Sequence, residues 1–535
     1  MTTMVELLRQ GRRDEIWKKY CGFADLSVQE FMEIQKELLA EQLQLLGRCE
    51  LGQKLLGGKV PASMDEFRQN VPFTKYKDYI PYLPEKREDV LPEKASVWVC
   101  TSGRSGEYGR KWIPYTEKTY AKTIAYSLAV FIFGSSDRRD FVFEEGDVTL
   151  VTLAPPPYVS GWVARGMLKE FPLKYIPSLE KAEQMEFQAR IEEGFRLALK
   201  EGIDLFYGIS SVLVKIGEQF ERQSGGMDKR LLLHPRAMVR VMKGLIKSKF
   251  AGRPLLPRDL WSVKVIAAGG TDTSIYRDRI AKYWGKLPVE AYAATEATLI
   301  AMQTWGTGLT FVPDMNLLEF IPEDELDKSS KDPSYKPRAL LLDQVTPGSV
   351  YELVLTNFNG GPFVRYRLGD LIKIIALGDE EAGVRIPQMV FRSRADDIID
   401  LSSLARLTEI TIFQSLVNAK IDFVDWTCVK EIEGQKPRLH LYIELNGDQS
   451  CGKEQVGEAV HRALQDLDPE YHDWVEMLDE QPPSVTLLSP GTFTRFTAEK
   501  QAAGADLAHL KPVRMKPSSA VLGDLLRLSE QEQLP

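Results

Sequence analysis

Tyr292-Ala293-Ala294-Thr295-Glu296 ends an apolar, β-branched and aromatic run, Val289 to Tyr292, and places a hydroxyl and a carboxylate directly beyond it. Such a run reads as a strand. In an open α/β sheet, ligands collect outside the carboxyl ends of the strands, so Thr295 and Glu296 stand where a site is expected. Glu296 suits Mg2+ bridging phosphates, because that hard cation takes carboxylate and phosphate oxygen. A glutamate in the first turn of a helix gives the same pattern without any ligand.

Working outward, strand-like runs recur at Val97 to Cys100, Val148 to Leu153, Leu205 to Tyr207 and Val263 to Ala267. Helical stretches, Lys181 to Lys200 and Arg236 to Phe250 among them, separate several of these. The alternation predicts an α/β domain. Val28 to Leu46 reads as an amphipathic helix, and Val71 to Tyr82 as an extended, proline-punctuated connector. After Gly348 short strands take over, Tyr351 to Thr356, Leu371 to Ala376 and Gln388 to Arg392, which reads as a β-rich subdomain. Glu323 to Arg338 is polar and reads as a surface loop. Beyond Arg394, a helix (Thr408 to Asn418), a strand (Arg438 to Leu445), a helix (Lys453 to Leu467) and a strand (Ser484 to Leu488) make a small α+β domain. The expected division is therefore 1–393 and 394–535.

Four further segments carry chemistry. Thr101-Ser102-Gly103-Arg104-Ser105-Gly106, with Gly109, Arg110 and Lys111 behind it, follows an apolar strand. Glycines let backbone N–H groups converge, hydroxyls add donors and Lys111 adds charge, so a polyphosphate fits, as does a plain surface turn. It is not a Walker loop. Gly269-Gly270, after the strand at Val263, admits either a flat ring such as adenine or an unliganded tight turn. Tyr366-Arg367-Leu368-Gly369-Asp370 puts an acid in a turn before a strand, and one carboxylate can accept both hydroxyls of a ribose. Arg394, Asp396 and Asp397 lie where the two textures meet, the place of a hinge or of a linker salt bridge.

At 535 residues the chain exceeds one usual core, so two or more domains are expected. Its 68 Lys and Arg against 76 Asp and Glu give a net charge of -8, with no basic run interleaved with aromatics, which disfavours a nucleic-acid partner. Five scattered cysteines without a C-x-x-C pair argue against a disulfide framework or a thiolate zinc site and fit a reducing, cytoplasmic compartment. The amino terminus has no secretory pattern, and the longest apolar stretch, Ile124 to Gly134, is too short to span a bilayer, so no membrane is expected as a partner.

With these residues in place, the chain resembles the adenylate-forming (ANL) superfamily of acyl-CoA synthetases, adenylation domains and luciferases over about residues 95 to 515. Within it the chain is most similar to the GH3 acyl acid amido synthetases. The GH3 likeness rests on Val71-Pro72-Phe73-Thr74-Lys75-Tyr76 with Ile80-Pro81-Tyr82, on Gly491-Thr492-Phe493, and on Gly504-Ala505 ahead of Lys511-Pro512-Val513-Arg514. The resemblance implies a large amino-terminal domain with α/β layers and a β-rich subdomain, plus a small mobile α+β carboxyl-terminal domain. It implies a phosphate loop at Thr101, Ser102, Gly103, Ser105 and Gly106, and phosphate and Mg2+ contacts from Thr295 and Glu296, with Gly269, Gly270 and Tyr292 expected among the nucleotide-binding residues. Asp370 and Arg394 fall on ribose-binding positions, Asp396 on the hinge, and Lys511 on the lysine that assists adenylation. The implied reaction is a ligase's: ATP and Mg2+ activate a carboxylic acid to acyl-AMP with loss of pyrophosphate, and an amine, an amino acid in this family, takes the acyl group as an amide. Coenzyme A as acceptor, giving a thioester, is the alternative enzyme reading. A non-catalytic, nucleotide-binding descendant is the alternative from another class. Pro155 to Trp162 resembles the loop near the acyl pocket, and Tyr158, Trp162 and Tyr207 point to an aromatic or apolar acid.

Overall fold

A computed structural model describes the chain except for residues 1, 102–110, 137, 139, 186, 223–233, 270–272, 333, 395–397, 402–404, 434–435, 448–450, 479–480, 503–512 and 531–535. The described residues form two compact units. One comprises Met1–Thr101, Arg110–Leu368 and Ile372–Phe391, and the other Gly369–Leu371 with Arg392–Pro535.

The strands that lie wholly or mainly in the first unit are, in chain order, β1 (Val97–Cys100), β2 (Trp112–Tyr115), β3 (Val148–Val151), β4 (Lys174–Ile176), β5 (Leu205–Ile209), β6 (Val265–Gly269) and β7 (Pro288–Ala294). They continue with β8 (Thr298–Gln303), β9 (Leu309–Phe311), β10 (Asn316–Pro322), β11 (Val350–Asn357), β12 (Tyr366–Ala376) and β13 (Gln388–Arg394). Eleven of them make one sheet in the order β10-β11-β12-β13-β9-β8-β7-β6-β5-β3-β4. From β4 to β7 every pairing is parallel, and from β7 through β8 to β9 and on to β13 it is antiparallel. The alternating part and the β-rich part expected from the sequence thus share one continuous sheet. The change of hand occurs where the Thr295–Ala297 turn folds β7 back as β8.

Parallel pairing requires crossovers, and helices supply them. Phe187–Glu201, Pro235–Phe250 and Thr273–Trp284 lie between successive parallel strands. Glu117–Phe133, apolar along most of its length, covers Val265, Ala267, Val289, Leu299 and Met302 of the sheet. That helix contains the apolar stretch too short to span a membrane, and Phe131 and Ile132 are among its fully buried residues. Each such side chain contributes roughly 1.5 to 3 kcal/mol on leaving water. Val28–Leu46 is a helix opened by a capping box between Ser27 and Glu30.

Three expectations need correction. Glu323–Lys331 is a helix rather than a loop, started by three acids in its first turn, where the helix dipole favours them, and tied by Lys328 to Glu325 at 2.7 Å. The Val71–Tyr82 connector is extended only at its start, where Thr74 pairs with Tyr366, and then winds into a 3-10 turn at Tyr76–Tyr79. The helical run at Lys181 is interrupted, forming Leu179–Ala182 and Phe187–Glu201.

The second unit holds β14 (Ile399–Leu401) paired with β15 (Ala405–Leu407), and a sheet of β16 (Phe423–Glu433), β17 (Lys436–Leu445) and β18 (Ser484–Leu488). Trp426 is fully buried in it. The Gly491-Thr492-Phe493 segment starts the helix Thr492–Ala502, and Glu444 accepts from the backbone of Gly491 at 2.6 Å and of Phe493 at 2.8 Å. A carboxylate at a helix amino terminus satisfies the donors left open there.

One buried ion pair ties the connector to the sheet. Arg365 is 5% and Glu319 1% exposed, and they meet through two bonds of 2.9 and 2.8 Å. Arg365 also donates to the carbonyls of Arg68 and Val71 and sits at φ +42, a strained setting for a residue other than glycine. Glu319→Ala leaves that guanidinium buried without its counter-charge. The variant should lose about 3 to 5 kcal/mol of stability, read as a lowered denaturation midpoint; an unchanged midpoint would show that the pair stabilises nothing.

Candidate active site

The parallel half of the sheet sends the loops after β3, β5, β6 and β7 to one edge. There Ser210, after β5, and Thr273, after β6, are buried and hydrogen-bonded at 2.8 Å. The β1–β2 hairpin joins the same edge, since the Cys100 N–H donates to Pro157 of the loop after β3 at 3.1 Å. Thr101 and Lys111 close the ends of that hairpin's loop, Thr101 N–H to Lys111 carbonyl at 3.0 Å and Lys111 N–H to Thr101 Oγ1 at 3.2 Å.

Glu296 lies in the turn between β7 and β8, not at a helix start. Three side chains from three elements hold that turn by consecutive carbonyls. Tyr115 of β2 donates to Thr295 at 2.8 Å, Asn357 of β11 to Glu296 at 3.0 Å, and Asn316 of β10 to Ala297 at 2.7 Å. Asn357 and Asn316 also bond each other at 2.8 Å. Thr298 follows at φ +60, a conformation that this network holds in place.

The carboxylate of Glu296 is buried, with Lys111 Nζ at 3.2 Å and the Tyr366 hydroxyl at 3.5 Å, both on Oε1. Among the described residues no hydrogen bond reaches Oε2. Lys111 Nζ also lies 5.0 Å from the centre of the Tyr76 ring. Burial pushes the Tyr76 hydroxyl up to about 12, with the Glu296 charge adding to the effect, so it stays a neutral phenol. The cluster therefore combines one fixed carboxylate, one fixed ammonium and two phenols. Mg2+ commonly uses one or two protein carboxylates and completes its shell with phosphate oxygens and water. A carboxylate with one oxygen uncommitted fits that requirement.

The remaining sequence-derived residues fall as follows. Tyr292 is buried in β7 with its ring 5.8 Å from Phe391. Gly269 ends β6, and Gly270 lies outside the described residues. Asp370 is buried inside β12, not in a turn before it, because the strand starts five residues earlier than expected, at Tyr366. Arg394 is the last residue of β13, and its side chain, like Ser102, Gly103, Ser105, Gly106, Asp396 and Lys511, is outside the described residues. Tyr158 is buried, Tyr207 packs 6.1 Å from Phe131 in the core, and Trp162 stands 6.5 Å from Tyr120. Sequence reading gave no role to Tyr115, Asn316 or Asn357. They stand 180, 19 and 61 residues from the carbonyls they hold, and strand pairing rather than any local pattern brings them to the turn.

The fold is built on a sheet that changes from parallel to antiparallel at a carboxylate-bearing hairpin. It is shared with a 2-hydroxyisobutyryl-CoA ligase at TM-score 0.53 and 16% identity, over 99% of this chain and 94% of that one. The likeness is greater to the AtGH3.15 acyl acid amido synthetase solved with 2,4-DB, at TM-score 0.68 and 17% identity, over 96% of both chains.

The chain belongs to the GH3 family. The family's N-terminal domain matches residues 23–154, its central domain 309–394 and its C-terminal domain 408–519, together more than half of the chain. Among characterised relatives, the jasmonoyl–L-amino acid synthetase GH3.5 of Oryza sativa subsp. japonica is 25% identical over 230 residues, 40% of this chain and 38% of that protein. The indole-3-acetic acid-amido synthetase GH3.10 of Arabidopsis thaliana is 21% identical over 286 residues, 49% and 46% respectively. In sequence, the chain thus spans less than half the length of either of these two relatives.

Glu290 lies on β7 just ahead of the site. Burial pushes its carboxyl up to about 7, against the opposing pull of Arg277. A carboxyl whose folded value exceeds its unfolded value, 4.5, adds stability that is full below pH 4.5 and lost as pH rises to about 7. Glu290→Gln should flatten that fall, gaining on the order of 2 kcal/mol over the parent at pH 8. Thermal melts at pH 4.5, 6 and 8 read it, and parallel profiles for parent and variant would contradict the assignment.

Proposed function

We propose that this chain is an AMP-forming ligase that activates a carboxylic acid with ATP and passes the acyl group to an amine, an amino acid by analogy with its relatives. The observation that carries the reading is Glu296, fixed at the carboxyl edge of the sheet with an uncommitted oxygen, in a chain of the GH3 family. ATP and Mg2+ are the proposed substrate and cofactor. Bound Mg2+ neutralises charge on the polyphosphate and so favours departure of pyrophosphate.

In the proposed first step the acid's carboxylate oxygen attacks the α-phosphorus, the bond to the β-phosphate oxygen breaks, and acyl-AMP and pyrophosphate form. Glu296 supplies the metal ligand, Lys111 a cation beside it, and Thr295 with the loop Thr101, Ser102, Gly103, Ser105 and Gly106 the donors to phosphate oxygen. Gly269, Gly270 and Tyr292 bound the adenine, and Asp370 and Arg394 take the ribose hydroxyls. Lys511 stabilises the charge that develops between carboxylate and α-phosphate. In the second step a neutral amine attacks the acyl carbon, AMP leaves, and the amine proton passes to solvent. We place the domain boundary at residue 393, with Asp396 as the hinge, and the protein in the cytoplasm. Among the described residues no helix is long and apolar enough to cross a membrane.

The test is ATP–pyrophosphate exchange across aryl, indolyl and fatty acids. At least one acid should support exchange, and Glu296→Gln should lower it on the order of 100-fold. Exchange followed by a thioester product with coenzyme A and no amide would assign the chain to thioester formation. Binding of ATP without exchange for any acid would favour a nucleotide-binding descendant.

A further inference from the structure

The helix Pro235–Phe250 is packed against the fold by a narrow face. Ala237, Val241, Gly244 and Ser248 are buried, and a side chain added at Gly244 would meet Leu260 at 2.7 Å. Arg240 is tied to the carbonyls of Ala198 and Leu199. The opposite face is apolar and, among the described residues, uncovered: Met238, Met242, Leu245, Ile246 and Phe250 are 43% to 89% exposed. Their three- and four-residue spacing puts them in one stripe. No other helix leaves such a row exposed among the described residues.

The charges on this helix run against those of the chain. Arg236, Arg240, Lys243, Lys247 and Lys249 give it five cations and no acid, in a protein of net charge -8. Arg236, Lys243 and Lys247 are exposed along one border of the stripe, and Lys249 is exposed in the last turn within it. An apolar face flanked by lysines is the arrangement by which a helix lies in the plane of a lipid interface, with lysine stems reaching the headgroups. At about 24 Å for 16 residues, and with five cations, the helix is too short and too charged to span.

We propose that the exposed face of Pro235–Phe250 docks the protein on an anionic lipid surface. A membrane surface needs access from one side only, which is what the buried Ala237–Ser248 face leaves. A second copy is disfavoured because it would bring two helices of five cations together, and like charges repel. A partner that wraps a helix would require the buried face as well. The expectation that no membrane is a partner rested on the length of apolar stretches, which bears on spanning and not on surface docking.

The whole protein is floated with vesicles of phosphatidylcholine and phosphatidylglycerol, and with phosphatidylcholine alone. Binding should favour the anionic vesicles and fall as salt rises. Lys243→Gln with Lys247→Gln should weaken it on the order of 25-fold, about fivefold per cation, and Met242→Glu with Ile246→Glu should abolish it. Unchanged melting curves for both variants exclude loss of fold. Absence of binding to anionic vesicles at low salt, or binding unaffected by the Met242 and Ile246 pair, overturns the proposal. So does a dimer that this pair dissociates, or capture of an acidic amphipathic peptide, while vesicles stay unbound.

Discussion

Three successive backbone carbonyls, Thr295 to Ala297, are each held by a side chain from a different strand, and the geometry of the candidate site depends on that restraint. A buried carbonyl without a partner costs about as much as a lost hydrogen bond, so the turn is stable in this shape only while Tyr115, Asn357 and Asn316 are all present. Their own placement requires the β1–β2 hairpin and the strands β10 and β11. Glu296 is therefore positioned by the whole first unit. Preorganisation of this kind lets a carboxylate meet charge without reorganising when a reaction occurs.

The same turn is where the sheet changes character. Parallel strands from β4 to β7 need helical crossovers and send their following loops to one edge, whereas β7 to β9 fold back directly as antiparallel strands. The Lys111–Glu296 contact links the hairpin that carries the glycine- and hydroxyl-rich loop to the hairpin that carries the carboxylate. Two segments 185 residues apart in sequence are thereby brought to one place.

Much of this was legible in the sequence, for reasons that differ by element. Val28–Leu46, Lys453–Leu467 and Ser484–Leu488 were read with their observed limits, because capping residues and apolar periodicity are local signals. Glu323–Lys331 was misread because its stabilisation is electrostatic, from acids at its start and a lysine one turn on, and leaves little apolar pattern. The strand containing Asp370 was shortened because Gly369, at φ +78, resembles a turn residue although the ladder continues through it. Glu296 and Lys111 were each singled out, but their contact was not, since pairing across the sheet is set by topology. Arg236–Phe250 was read as a helix, yet which of its apolar residues face the core is decided by packing against Ala198, Leu255 and Leu260.

The most direct test of acid activation through an adenylate is isotopic. The acid is supplied with both carboxylate oxygens as oxygen-18, together with ATP, Mg2+ and an amino acid, and the products are weighed by mass spectrometry. Attack of the carboxylate on the α-phosphorus, followed by cleavage of the acyl carbon–oxygen bond, leaves one heavy oxygen in AMP and one in the amide. Heavy oxygen in inorganic phosphate with ADP formed instead, or an amide product with unlabelled AMP, would contradict an adenylate route.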